Sequence, residues 1–127
     1  MQRKLLAEIV FNNQNELTWL NSVTHPATGL FFNNWLKKHS SPYVLKEAAI
    51  LFESGTYKNV DKIITVCAPV ELRISRIMLR DETSRKEVEA RIKNQWTDEE
   101  KIIRSDYVIV NDEVQEVIPQ VMKVHEH

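Results

Sequence analysis

Five arginines lie between positions 73 and 91, and they are the densest chemical signal in the chain. Arg73, Arg76 and Arg80 are spaced by three and four, so a helix spanning them carries them on one face. Arg85 and Arg91 follow in the next segment. Guanidinium groups match phosphate oxygens two bonds at a time, so this face could bind phosphate. The same arginines stand among Glu71, Asp81, Glu82, Glu87 and Glu89 and could equally be stitched to them in surface pairs worth little each. Glu47 follows Val44-Leu45-Lys46. At the carboxyl end of a parallel strand it could hold a water on Mg²⁺; on an edge strand it would point to solvent. His25-Pro26 sits at a joint between two helical patterns, where the imidazole is either a surface group or within reach of a ligand. The histidines, at 25, 39, 125 and 127, show no HxxxH spacing and there is no CxxC, so a structural metal is not expected. Cys67 closes a strand and reads as a core thiol rather than a nucleophile. No GxSxG occurs, which removes the serine-hydrolase reading.

The elements that must hold these residues follow from periodicity. Leu5, Leu6, Ile9 and Val10 form a helical stripe. Asn13 caps a second helix carrying Leu17, Trp19, Leu20 and Val23, expected to stop near His25 because the residue before a proline leaves the α region. Pro26 then opens a third helix with Leu30, Phe31, Trp35 and Leu36, and Ser40-Ser41-Pro42 breaks it. A strand is expected over 43–49, a clearer one over 62–67, and another over 107–110. Pro69 starts the arginine helix. Ser84-Arg85-Lys86-Glu87 and Thr97-Asp98-Glu99-Glu100 are two capping boxes, each opening a helix. Asn111-Asp112 leads into a terminal helix with Val114, Val117, Ile118 and Val121, which Pro119 should perturb. Strands alternating with helices predict an α/β fold with a three-stranded parallel sheet, its apolar strands covered on both faces.

Composition narrows the function classes. The 127 residues suffice for one domain, and 43% hydrophobic with 28% charged residues is an ordinary globular balance. Seventeen basic against eighteen acidic side chains give a net charge of −1, so nucleic acid is not an expected partner. Only Gly29 and Gly55 are present, which argues against all-β architecture and against a glycine-rich phosphate loop among these residues. The single cysteine fits a reducing, cytoplasmic compartment. No apolar run reaches the roughly 20 residues of a membrane helix, so no membrane partner is expected.

The order of the segments resembles the dephospho-CoA kinase family. Arg3-Lys4-Leu5-Leu6-Ala7-Glu8-Ile9-Val10-Phe11 is similar to its R-x-x-L-A-x-x-V-F segment, and Leu20-Asn21 with His25-Pro26 to its L-N-x-x-x-H-P. Ile50-Leu51-Phe52-Glu53-Ser54-Gly55 resembles its L-L-F-E-S-G, with Ala49 where the family usually has proline. Val60-Asp61-Lys62-Ile63-Ile64-Thr65-Val66 is similar to its V-D-x-V-x-V-V strand. Arg76-Ile77-Met78-Leu79-Arg80-Asp81 matches R-x-x-x-R-D, Arg91-Ile92-Lys93-Asn94-Gln95 matches R-I-x-x-Q, and Asp106-Tyr107-Val108-Ile109-Val110-Asn111 follows D-x-V-I-x-N.

The resemblance implies part of a P-loop kinase fold. It assigns 1–42 to the helical segment of a CoA-binding lobe and 43–82 to core strands and helix. The lid region becomes 83–104, and 105–127 the last core strand and C-terminal helix. It implies transfer of the ATP γ-phosphoryl to the 3′-hydroxyl of dephospho-CoA, with ATP and Mg²⁺ required by a full-length parent and none held tightly here. Arg80 and Arg91 become phosphate contacts, His25 and Arg76 substrate contacts, Asn111 an adenine-side residue and Glu47 a Mg²⁺ residue acting through water. The family's first strand, GxxxxGK[ST] loop and early aspartate base have no counterpart among these residues, so the chain reads as the C-terminal two-thirds of a kinase and is expected to be inactive alone. A non-catalytic CoA- or adenine-nucleotide-binding module is the alternative. Strands left without neighbours predict self-association.

Overall fold

The computed structural model describes residues 6, 9, 10 and 13–126. The chain divides into two compact units, Met1–Glu47 and Ala48–His127. Of the predicted first stripe, Leu6, Ile9 and Val10 are helical, while Leu5 lies outside the described residues. Helix α1 runs over Gln14–Leu36. The Asn13 side chain accepts from the Asn15 N–H, so the predicted cap is formed. The predicted break at His25 is not: Pro26 lies inside α1. A proline there denies Ser22 its i→i+4 bond, but Ser22 is exposed, and water can take the freed carbonyl. The helix ends in an aromatic run, with Phe32 stacked on Trp35 at 6.0 Å and Trp35 against His39 at 3.9 Å.

The predicted strand over 43–49 is absent; the segment is irregular, and Leu45 is 76% exposed. An isolated extended segment gains nothing from its backbone unless a neighbour pairs with it. Among the described residues the sheet has two strands, β1 (Ile64–Cys67) and β2 (Tyr107–Val110), instead of three. They pair in parallel, Ile64 opposite Tyr107 and Cys67 opposite Val110. Parallel pairing needs a long crossover, and three helices supply it. These are α2 (Val70–Asp81), α3 (Arg85–Lys93) and α4 (Asp98–Ile102). Both capping boxes are fully formed: Ser84 and Thr97 accept from the N–H groups of Glu87 and Glu100, whose carboxylates accept in return. Helix α2 packs on α3, and α4 on β1. Ile74 of α2 and Val88 of α3 are the buried anchors, 2% and 0% exposed.

Cover over the sheet is partial. Thr65 and Ile109 are buried, but Ile64 and Val66 are exposed, so the expected cover on both faces is not complete among the described residues. At the amino end, Asp106 accepts from the Ile63 N–H at 2.9 Å and the Lys62 ammonium at 2.8 Å. Helix α5 (Val117–His125) packs on β2. It starts later than predicted because the Asp112 carboxylate accepts from the Val114 and Gln115 N–H groups and holds a turn. Pro119 therefore falls in the first helical turn, where its missing N–H had no partner to lose. The Gln120 carboxamide accepts from the Val110 N–H at 2.8 Å and donates to the Val110 carbonyl at 3.0 Å, imitating a neighbouring strand.

Candidate functional site

The carboxyl ends of β1 and β2 meet where the Asn111 N–H donates to the Cys67 carbonyl at 2.9 Å. Helix α2 leaves the end of β1 through Ala68-Pro69, so its arginine face runs from this point outward. Arg76 reaches back to the end of β2. Its guanidinium donates to the Asn111 carbonyl at 3.0 Å, the Asn111 side-chain oxygen at 3.4 Å and Glu113 Oε1 at 3.1 Å. Two predicted site residues, Arg76 and Asn111, are thus joined, although 35 positions separate them.

A second pair meets at the far end of α2. Arg80 donates from Nε to Asp81 Oδ1 at 2.7 Å and from Nη2 to Oδ2 at 3.2 Å. Arg91, on α3, donates to the same Oδ2 at 3.3 Å. Asp81 holds both cations, and the hydrogen bonds and charge of Arg80 and Arg91 hold its carboxyl below the usual carboxylate range. The same pairing raises Arg80 further above its already high value. This convergence arises from the capping box. Thr83 and Ser84 turn the chain after α2, Ser84 starts α3, and buried Val88 fixes which face of α3 meets α2.

The remaining arginines are structural links. Arg73 pairs with Asp98 at 3.1 Å and ties α2 to the first turn of α4. Arg85 grips Glu71 through two bonds of 2.7 and 3.0 Å and also donates to Glu89 at 2.7 Å. The three-and-four spacing of Arg73, Arg76 and Arg80 is preserved, but each goes to a different carboxylate-bearing partner. Burial first, and the nearby charge of Asp98 next, push the Cys67 thiol up, consistent with an unreactive thiol.

His25 and Glu47 belong to the other unit. His25 is exposed midway along α1, and Glu47 is exposed on irregular chain instead of at a strand end. Asp81 was visible in the R-x-x-x-R-D match but had no assigned role; the signal was an acid directly beside a predicted phosphate arginine. Glu53 was likewise part of a matched segment without a role. It follows buried Phe52, which stacks on half-buried Trp96 at 5.5 Å and lies beside half-buried Tyr57 at 5.5 Å. Among the described residues no three His, Cys, Asp or Glu side chains gather as a metal site would require.

Comparison with known proteins gives one consistent result. The family pattern that matches is Dephospho-CoA kinase, over residues 1–116. A dephospho-CoA kinase of Bacteroides fragilis is 36% identical over 125 residues, covering 98% of this chain and 61% of the relative. A crystal structure from Thermus thermophilus superposes with a TM-score of 0.91 at 33% identity, over 98% of this chain and 65% of that one. The dephospho-CoA kinase of Campylobacter jejuni superposes at 0.61 with 35% identity, over 99% of this chain and 64% of that one. The chain spans about three fifths of the length of the curated relatives it matches.

Proposed function

From the chain's membership of the dephospho-CoA kinase family, we propose that the whole protein transfers the γ-phosphoryl group of ATP to the 3′-hydroxyl of dephospho-CoA, the last step of coenzyme A synthesis, in the cytoplasm. The observation that carries the reading is the convergence of Arg80 and Arg91, from two helices, on the single carboxylate of Asp81. A carboxylate and a phosphate present similar oxygen pairs to a guanidinium. When phosphate arrives, Arg80 and Arg91 exchange Asp81 for its oxygens and neutralise the charge that develops during transfer.

Arg76 acts differently. Its bonds to the Asn111 carbonyl and to Glu113 set the course of the chain leaving β2, so it positions Asn111 toward the adenine side. His25 contributes to the CoA side from its own unit. The residues 83–104, with α3 and α4, serve as the lid that brings Arg91 to the phosphates. Mg²⁺ enters with the nucleotide; such sites use one or two carboxylates together with substrate phosphates. Glu47 alone, on exposed irregular chain, does not make that site.

The test is steady-state kinetics of the whole protein with ATP, Mg²⁺ and dephospho-CoA. Arg80→Ala and Arg91→Ala are expected to lower kcat and kcat/KM together, each by at least about tenfold, as for charges that act on the transition state. Arg85→Ala, whose guanidinium is taken up by Glu71 and Glu89, is expected to stay within about threefold on the scale of surface-pair losses. Equal losses from all three substitutions reject the assignment.

A further inference from the structure

We infer that Glu53 is a positioning residue for the junction between α3 and α4, and through it for Arg91; the inference rests on the kinase reading above. The two helices are joined by residues 94–97, a short link with no strand or long helix of its own. The link and α4 are held to the loop before β1. Glu53 Oε1 accepts from the Trp96 backbone N–H at 2.7 Å, across 43 positions of sequence. Lys101 of α4 brings its ammonium to 3.5 Å from the same oxygen, with both side chains about 85% buried by their exposures of 15% and 16%. The Trp96 ring stacks on Phe52, and the Arg104 guanidinium lies over the Trp96 ring at 5.0 Å from its centre.

A carboxylate so far from water is costly unless its partners are present. The second oxygen, Oε2, is buried with no hydrogen-bond partner among the described residues, which leaves the Trp96 N–H and Lys101 on Oε1 as the contacts that tie this carboxylate to the junction. Burial alone would raise the carboxyl, yet the N–H groups of Glu53 and Trp96, with Lys101, outweigh it and hold Glu53 below its ordinary value. An ionised anchor therefore grips the link at one amide. Helix α3 ends at Lys93, two positions after Arg91 and three before that amide. The grip at Trp96 limits how far α3 can swing, and so where Arg91 can stand relative to Arg80.

The experiment uses the whole protein with Glu53→Ala and Glu53→Gln. Glu53→Ala removes the acceptor; hydrogen exchange at the Trp96 amide is expected to speed up by about tenfold or more, as for a part-buried N–H left unpaired. The β1 and β2 amides are expected to keep their protection. In kinetics, kcat is expected to fall about tenfold, as a misplaced transition-state charge would cause, while the KM for dephospho-CoA stays within about twofold. Glu53→Gln keeps an oxygen for the Trp96 N–H and is expected to restore most of both readouts. Unchanged Trp96 exchange in Glu53→Ala overturns the inference. So does a loss of protection spread equally through β1 and β2, or a Gln variant as impaired as the Ala one. Absence of dephospho-CoA turnover in the unsubstituted protein would instead overturn the kinase reading, and the exchange measurements would still decide the role of Glu53.

Discussion

Removing two carbons from Val88 should loosen the helix that carries Arg91. Val88 is 0% exposed and is the one buried residue of α3 among those described. In Val88→Ala the lost transfer free energy is about 1.6 kcal/mol, at about 0.8 kcal/mol per buried carbon. A cavity that collapses only in part adds about 1 kcal/mol. The sum, about 2–3 kcal/mol, is a large share of the roughly 4–12 kcal/mol that a unit of this size holds in total. Urea unfolding followed by far-ultraviolet circular dichroism measures it. With a slope of about 1–2 kcal/mol per molar, the midpoint should fall by about 1–3 M. Val114→Ala is the control: Val114 is 85% exposed, and its loss should stay within about 0.5 kcal/mol. A Val88→Ala midpoint no lower than that of the control would refute the claim that α3 is anchored through this side chain.

Other outcomes follow from the same geometry. Glu87 is held down to about 2 by the hydroxyls of Thr83 and Ser84 and the Ser84 N–H. Its folded value is depressed, so the unfolded chain binds the proton more readily. The stability it supplies is complete above the ordinary value of 4.5 and lost as pH falls toward 2. Melting curves of Glu87→Gln should converge with those of the unsubstituted protein across that window; a constant gap would contradict the cap. Asp81→Asn should leave Arg80 and Arg91 without their shared counter-charge, strengthening pyrophosphate binding at low salt. Isothermal titration giving unchanged or weaker binding would count against Asp81 as the group phosphate displaces. An assay of these 127 residues by themselves should show no ATP-dependent turnover, since no GxxxxGK[ST] occurs among them. We also propose that they self-associate through the open side of β1, so sedimentation should show mass rising with concentration; a concentration-independent monomer would exclude it.

What could be read in the sequence was what depends on neighbours a few residues away. The Asn13 cap and both capping boxes are short-range chemistry, and each formed as expected; β2 formed over its expected four residues because β1 lies beside it to pair with. The segment 43–49 failed because strand formation needs a partner elsewhere in the chain, which its β-rich start could not supply. Pro26 and Pro119 show the same limit. A proline's effect depends on whether the affected carbonyl is wet and on where the helix begins, and the Asp112 turn decided the second. At the site, spacing showed that Arg76 and Arg80 share a helix, but not which acid each would choose. Arg91 meeting Asp81 required the turn angle after α2, and Glu53 meeting Trp96 required the whole crossover.

The bonds from Gln120 to Val110 make the two margins of the sheet unequal. One margin is plugged by a side chain that already uses the N–H and C=O a newcomer would seek, while β1 has no strand on its other side among the described residues. Assembly by strand addition is then one-sided. Two copies joined margin to margin about a twofold axis would place a plugged β2 at each end of a four-stranded sheet, and growth would stop at the pair. Without the plug, each addition would expose another acceptor and the product would be a filament. A single glutamine would set whether joining ends at two chains or runs on without limit.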